Sequence, residues 1–121
     1  MIRETQVSLS CLIYPMFVVD GSGKRIAIQS MPGIFRQSSD LLFKEIEECL
    51  ELGIKTFDLF PAVEDHLKDK EATYSYSDQN FYLKLAAEIK KRFPEACLMS
   101  DVAMDPYSSD GHDGYFEDGN I

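Results

Sequence analysis

An α/β fold built on a parallel sheet is what this sequence predicts, and three observations predict it. Three apolar runs are nearly continuous rather than alternating, which suits parallel strands covered on their faces. Two amphipathic segments separate the runs, each with a capping residue before it and a stop signal after it. The length of 121 residues, with 45% hydrophobic and 12% aromatic residues, allows one folded domain at most, with a modest core.

The first run is LIYPMFVV, residues 12–19. The segment SSDLLFKEIEECLELG follows. Ser39 or Asp40 can cap its first amides, Leu42, Ile46, Cys49 and Leu50 form its apolar stripe, and Gly53 can take the left-handed stop. The second run is IKTFDLF, residues 54–60. In the second helix, SDQNFYLKLAAEIKKRFP, Ser77 or Asp78 is the expected N-cap and Phe81, Leu85 and Ile89 mark the buried side. Lys90, Lys91 and Arg92 suit its carboxyl end before Pro94. The third run is CLMSDVAM, residues 97–104. The order is strand–helix–strand–helix–strand, with right-handed parallel crossovers.

The loops are uneven. Residues 21–39 contain the Pro-Gly turn of SMPGIF and room for a short hairpin over Lys24–Gln29, and residues 61–77 are long and polar. These two loops and the stretch SDVAMDPYSSDGHDGYFEDG all follow strands, so all three fall at the carboxyl edge where α/β folds place ligands. Three parallel strands and two helices neither close a barrel nor complete an ordinary open sheet. Either unusual loops protect the outer strands or the chain is part of a larger domain; the second is the expectation.

Composition narrows the function. A net charge of −9 argues against nucleic acid, which demands a basic face, and against an anionic membrane surface. No run approaches transmembrane length and MIRETQVSLS has no signal core, so a soluble intracellular protein is expected. Cys11, Cys49 and Cys97 are odd in number and far apart, and read as buried free thiols.

The acidic stretch carries the candidate chemistry. No register of it matches an EF-hand calcium loop. A magnesium-dependent phospho-receiver domain is an alternative, with Asp101 as acceptor. It needs an acidic pair after the first strand and a lysine after a fifth, whereas the chain offers a single Asp20 and only three apolar runs. Asp101 follows an apolar run, so it is either a strand-mouth carboxylate balanced by a cation or an acceptor for backbone amides of the next loop. Asp110, Glu117 and Asp118 read as solvated loop residues. His112 is a turn residue or a ligand contact, His66 an exposed side chain, and Tyr74 and Tyr76 packing residues of an ordered loop. None of the eight lysines falls in the carboxyl half of an apolar run, where burial lowers an amine's pKa toward nucleophilicity.

RETQVSLSCLIYPMFVVDG, SMPGIFR, ELGIKTFDLFP and SDVAMDPYSSDGHDG occur in the order and spacing of the porphobilinogen synthase family, also called delta-aminolevulinic acid dehydratase. The resemblance covers nearly all 121 residues. It implies the N-terminal part, about three β/α units, of a (β/α)8 barrel, a fold that takes roughly 250 residues. It also implies that residues 1–121 are one portion of a single barrel domain, with the N-terminal arm and the later strands missing. The implied activity is that of a lyase: condensation and dehydration of two 5-aminolevulinate molecules to porphobilinogen, on the way to haem and other tetrapyrroles. The Schiff-base lysine and its assisting lysine belong to later strands, so this chain alone is expected to be inactive. The family is an octameric homo-oligomer, an assembly not expected without the arm.

Zinc-using members carry cysteines where this sequence has Ala103, Asp105 and Asp113. The sequence therefore resembles the aspartate-rich, zinc-independent branch, in which magnesium is an allosteric ion held mostly outside this segment. Asp101, Asp105 and Asp113 are, by resemblance, active-site carboxylates, Asp101 near the Schiff-base lysine. No residue here is assigned as a metal ligand. The implied compartment is the cytoplasm, or the plastid stroma in a plant.

Overall fold

In the computed structural model, which describes residues 4–121, the first apolar run forms strand β1 (Ile13–Val19). Met1, Ile2 and Arg3, which bear on the missing arm and open the first motif, lie outside the described residues. Two three-residue strands follow, β2 (Arg25–Ala27) and β3 (Phe35–Gln37). Helix α1 (Ser39–Leu52), strand β4 (Thr56–Ala62), helix α2 (Phe81–Arg92) and strand β5 (Cys97–Ser100) come next, with short 3-10 turns between elements. The sheet order is β2-β3-β1-β4-β5. β1 and β4 run parallel from Ile13 opposite Thr56 to Val19 opposite Ala62, and β4 and β5 run parallel from Thr56 opposite Cys97 to Leu59 opposite Ser100.

Registered partners in a sheet point to the same side, so the sheet has two unlike faces. Met16, Val18, Phe57 and Leu59 point to one side and are buried with Leu42, Phe43, Ile46 and Cys49 of α1 and Tyr82, Leu85 and Ile89 of α2. Both helices therefore cover the same face. The other face carries Ile13, Phe17, Asp58, Phe60 and Met99, with Ile13 51% and Met99 46% exposed and the Phe17 and Phe60 rings stacked at 5.5 Å. Coverage of both faces, expected from the continuous apolarity, is corrected here to coverage of one.

Other boundaries also move. The third run pairs only to Ser100. Beyond it the chain turns away because Tyr107 is drawn into a second apolar cluster with Val63 and Ala72. The hairpin is wider than Lys24–Gln29: β2 pairs antiparallel with β3, and β3 runs parallel to the end of β1. α1 is capped at Ser38, one residue earlier than read, and Gly53 closes it in the left-handed region at φ 99° as expected. α2 is capped by Asn80, whose side chain accepts the Tyr82 N–H at 2.9 Å. Its buried stripe begins at Tyr82, with Phe81 half-buried. All three cysteines are free, but only Cys49 is buried; Cys97 lies on the uncovered face at the sheet edge and Cys11 in a turn before β1.

Polar contacts pin the hairpin to α1. The Ser38 hydroxyl donates to Asp40 at 2.5 Å, and the Gly23 N–H reaches the two Asp40 carboxylate oxygens at 3.0 and 3.1 Å. These donors, the Ser38 hydroxyl first, hold the Asp40 carboxyl below its ordinary value. The Tyr14 phenol donates to Glu45 at 2.6 Å, and the Gln37 amide also donates to that carboxylate. Glu45 thereby raises the Tyr14 phenol well above its ordinary pKa.

Candidate active site

The carboxyl edges of β4 and β5 form a cavity of about 240 Å³, lined by Phe60, Pro61, Asp101, Ala103, Asp105, Pro106 and Tyr107. Its position follows from local sequence. β4 continues past the end of β5, leaving Phe60 and Pro61 beside the segment that leaves Ser100. Asp101 continues the alternation of Cys97 and Met99, which assigns it to the uncovered face. Pro106 suits the first turn of the short 3-10 helix Asp105–Tyr107.

Two of the three candidate aspartates meet in this cavity. Asp101 and Asp105 are both exposed and both line it. Asp101 is therefore a strand-mouth residue without being buried. Among the described residues, no protein donor is hydrogen-bonded to either carboxylate. Asp113 does not line the cavity; its Oδ1 accepts the N–H groups of Met104 at 2.7 Å and Asp105 at 3.1 Å.

The loop after β4 supports the far side of the site. Asp69 bridges to Ser108: its N–H donates to the Tyr107 carbonyl at 3.3 Å and its carbonyl accepts the Ser109 N–H at 3.0 Å. Its carboxylate accepts the Thr73 N–H at 2.9 Å, which holds the Asp69 carboxyl below its ordinary value. Tyr74 packs near Tyr107, its hydroxyl accepting the Phe81 N–H and donating to the Gln79 carbonyl, whereas Tyr76 is exposed. Buried Asn80 donates to the carbonyls of Tyr74 and Ser75. Sequence reasoning missed Asn80 and Asp69. The signal for Asn80 was present, since Asn caps as well as Ser or Asp and it immediately precedes the first apolar residue of the helix.

Asp110, Glu117 and Asp118 are exposed. His112 is exposed with its ring 6.2 Å from that of Phe116, and exposed His66 lies 3.4 Å from Glu64. None of the eight lysines stands in the carboxyl half of a strand. Among the described residues, no group of three or more His, Cys, Asp or Glu side chains is gathered to hold a metal ion. No cysteine lines the cavity, so its donors do not fit zinc; two carboxylates suit an ammonium group or a hard cation better. No helix among the described residues is long and apolar enough to cross a membrane.

A model of the family described as delta-aminolevulinic acid dehydratase matches residues 1–121. The delta-aminolevulinic acid dehydratase of Chlamydia pneumoniae is 44% identical over the whole chain, which spans 36% of that protein. That of Bradyrhizobium diazoefficiens is 40% identical over the whole chain, which spans 34% of it. Among solved structures, the delta-aminolevulinic acid dehydratase (porphobilinogen synthase) of Toxoplasma gondii ME49, in complex with the reaction product porphobilinogen, superposes with a TM-score of 0.91 at 44% identity. It covers 97% of this chain and 33% of that one. The chain thus spans about a third of the length of these relatives, and its mixed sheet matches the N-terminal part of their (β/α)8 barrel.

Proposed function

Because the chain belongs to the delta-aminolevulinic acid dehydratase family, we propose that it supplies the first strands and three active-site carboxylates, Asp101, Asp105 and Asp113, of a porphobilinogen synthase. The reaction is the condensation and dehydration of two 5-aminolevulinate molecules. The observation that carries the site assignment is the meeting of Asp101 and Asp105 in one cavity at the carboxyl edges of β4 and β5. Substrate brings an ammonium group to that cavity, and paired carboxylates there bind it and accept protons released during dehydration. The receiver alternative has lost its support. A doubly wound domain carries helices on both faces of its sheet, whereas α1 and α2 share one.

The zinc-independent branch belongs to the same proposal, supported by Ala103, Asp105 and Asp113 where a zinc site needs thiolates. Magnesium is proposed as an allosteric ion of the complete protein, an octameric homo-oligomer. The described residues do not gather three ligands for it, and no chemical step is derived through it. The proposed compartment is the cytoplasm, or the plastid stroma in a plant. By themselves the 121 residues are proposed to be inactive, since none of their lysines occupies a position suited to a Schiff base.

Two measurements test this reading. Borohydride in the presence of 5-aminolevulinate should label the protein that carries this chain at the relatives' full length and leave the purified 121-residue chain unlabelled. In that longer protein, Asp101→Asn and Asp105→Asn should each lower kcat by about a hundredfold, the scale of a lost acid–base or charge-stabilising group. Near-normal kinetics in both variants, or product from the short chain, would sink the proposal.

A further inference from the structure

We infer that Asp58 is one half of an interior ion pair whose other half, a lysine or arginine side chain, comes from an even-numbered strand of the complete barrel. The inference rests on the reading above, in which this chain supplies the first strands of that barrel. β4 lies between β1 and β5, and Asp58 is registered with Pro15 on one side and Met99 on the other. All three point away from the helices, and Asp58 is already half-buried. Neither neighbour satisfies it, because proline and methionine side chains carry no donor. Phe60, next on that face along β4, stacks on Phe17. Arg36, which its registration with Phe17 assigns to the same face, stands two strands from Asp58 and is not paired with it. Among the described residues, no donor is hydrogen-bonded to the Asp58 carboxylate.

Barrel closure changes what this carboxylate faces. The interior of a (β/α)8 barrel is a stack of side-chain layers dominated by bulky apolar residues, a pattern that Ile13, Phe17 and Met99 follow and Asp58 breaks. Phe60 stands between Asp58 and the carboxyl edge of β4, and Asp58 does not line the cavity of Asp101 and Asp105. An ammonium group bound in that cavity therefore leaves Asp58 without a partner. Taking an ionised carboxylate out of water costs far more than burying a neutral polar group, and a cation offsets that cost with both charge and N–H donors. β1, β4 and β5 correspond to barrel strands one to three. The four side chains of a layer come from alternate strands, so the layer of Asp58 is completed from strands four, six and eight, all beyond this chain.

A crystal structure of the unsubstituted full-length protein tests this directly. A lysine or arginine nitrogen from strand four, six or eight should lie within about 4 Å of the Asp58 carboxylate. Hydroxyls, amides or water alone at that carboxylate would overturn the inference. In the same protein Asp58→Leu leaves a cation unpaired inside the barrel, so at a fixed urea concentration the ratio of unfolded to folded protein should rise by about a hundredfold or more. Replacing the partner by methionine in that variant should restore most of the loss, because an apolar pair takes the place of the charged one. A rise within about twofold for Asp58→Leu alone, the size of an ordinary surface change, would also overturn the pairing. If Asp58→Leu fails to fold, the crystal structure still decides. These failures leave the active-site reading standing, since the Asp101→Asn and Asp105→Asn kinetics report on it separately. An Asp58 that faces bulk solvent in the full-length protein would instead remove the barrel reading on which the inference rests.

Discussion

Alternate residues of the same strands inhabit two different environments. Phe57 and Leu59 are sealed against the helices, while Asp58 and Phe60, one position along, lie half-buried on the face without a helix. The covered face is filled by aliphatic and aromatic side chains packed from α1, α2 and the sheet. The uncovered one mixes apolar residues with Asp58 and leads into the cavity of Asp101 and Asp105. Packing requires a closed surface and chemistry an accessible one, and strand alternation supplies both from one backbone.

The sharpest test of this contrast is a pair of phenylalanines. Phe57→Ala should destabilise the chain by about 3–5 kcal/mol, because it removes a fully buried ring and leaves a cavity. Phe60→Ala removes a ring stacked on Phe17 that is still partly wet, and should cost about 1 kcal/mol. Urea unfolding of both variants gives the comparison directly. Equal losses would mean that the two faces contribute alike to stability.

Much of this contrast was legible in the sequence, and its limits have physical causes. β1 and β4 announced themselves because continuous apolarity marks buried strands. That signal does not say which side is buried: Phe17, Phe60 and Met99 are as apolar as Met16 and Leu59. Nor does it identify a pairing partner, which is why Val102, 96% exposed, read as strand. β2 and β3 are three residues each, too short for any periodicity. At the site, Asp101 and Asp105 stood out as carboxylates beyond an apolar run. The bonds of Asp113 depend on how the chain reverses at Gly111, and the hold of Asp69 on Ser109 spans two loops; neither spacing has a sequence signature.

A smaller effect probes the covered face alone. Buried Tyr82 donates its hydroxyl to the Leu59 carbonyl at 2.9 Å, and burial is the chief cause of its pKa being pushed up to about 12 from the ordinary 10.0. The folded chain thus binds the phenolic proton more tightly than the unfolded chain does. That contribution is complete below pH 10.0 and is lost as pH rises toward about 12. Tyr82→Phe should cost about 1 kcal/mol at neutral pH through the lost hydrogen bond, and the cost should shrink across the alkaline window. A Tyr82→Phe penalty that is constant from neutral to alkaline pH would place the phenol's titration outside folding.

The smallest expected effect lies where the hairpin meets α1. Asp40 is held below the ordinary carboxylate value of 3.8, first by the Ser38 hydroxyl and then by the Gly23 N–H. A depressed folded pKa gives stability that is present above the unfolded value and lost as pH falls through the folded one. The chain should therefore lose this contribution only below about pH 3.8. Asp40→Asn keeps an acceptor for Gly23 but no longer responds to acid, so its unfolding midpoint should converge on that of the unsubstituted chain as pH falls through that window. Asp105→Asn, at the cavity where no protein donor bonds the carboxylate, should shift the neutral-pH midpoint by no more than an ordinary surface change, within about 0.5 kcal/mol. If Asp40→Asn differs from the unsubstituted chain by a constant amount at every pH, the Ser38–Asp40–Gly23 contacts are not what ties the hairpin's stability to charge. The division between a carboxylate that fastens the fold and one left free for chemistry would then fail at its first member.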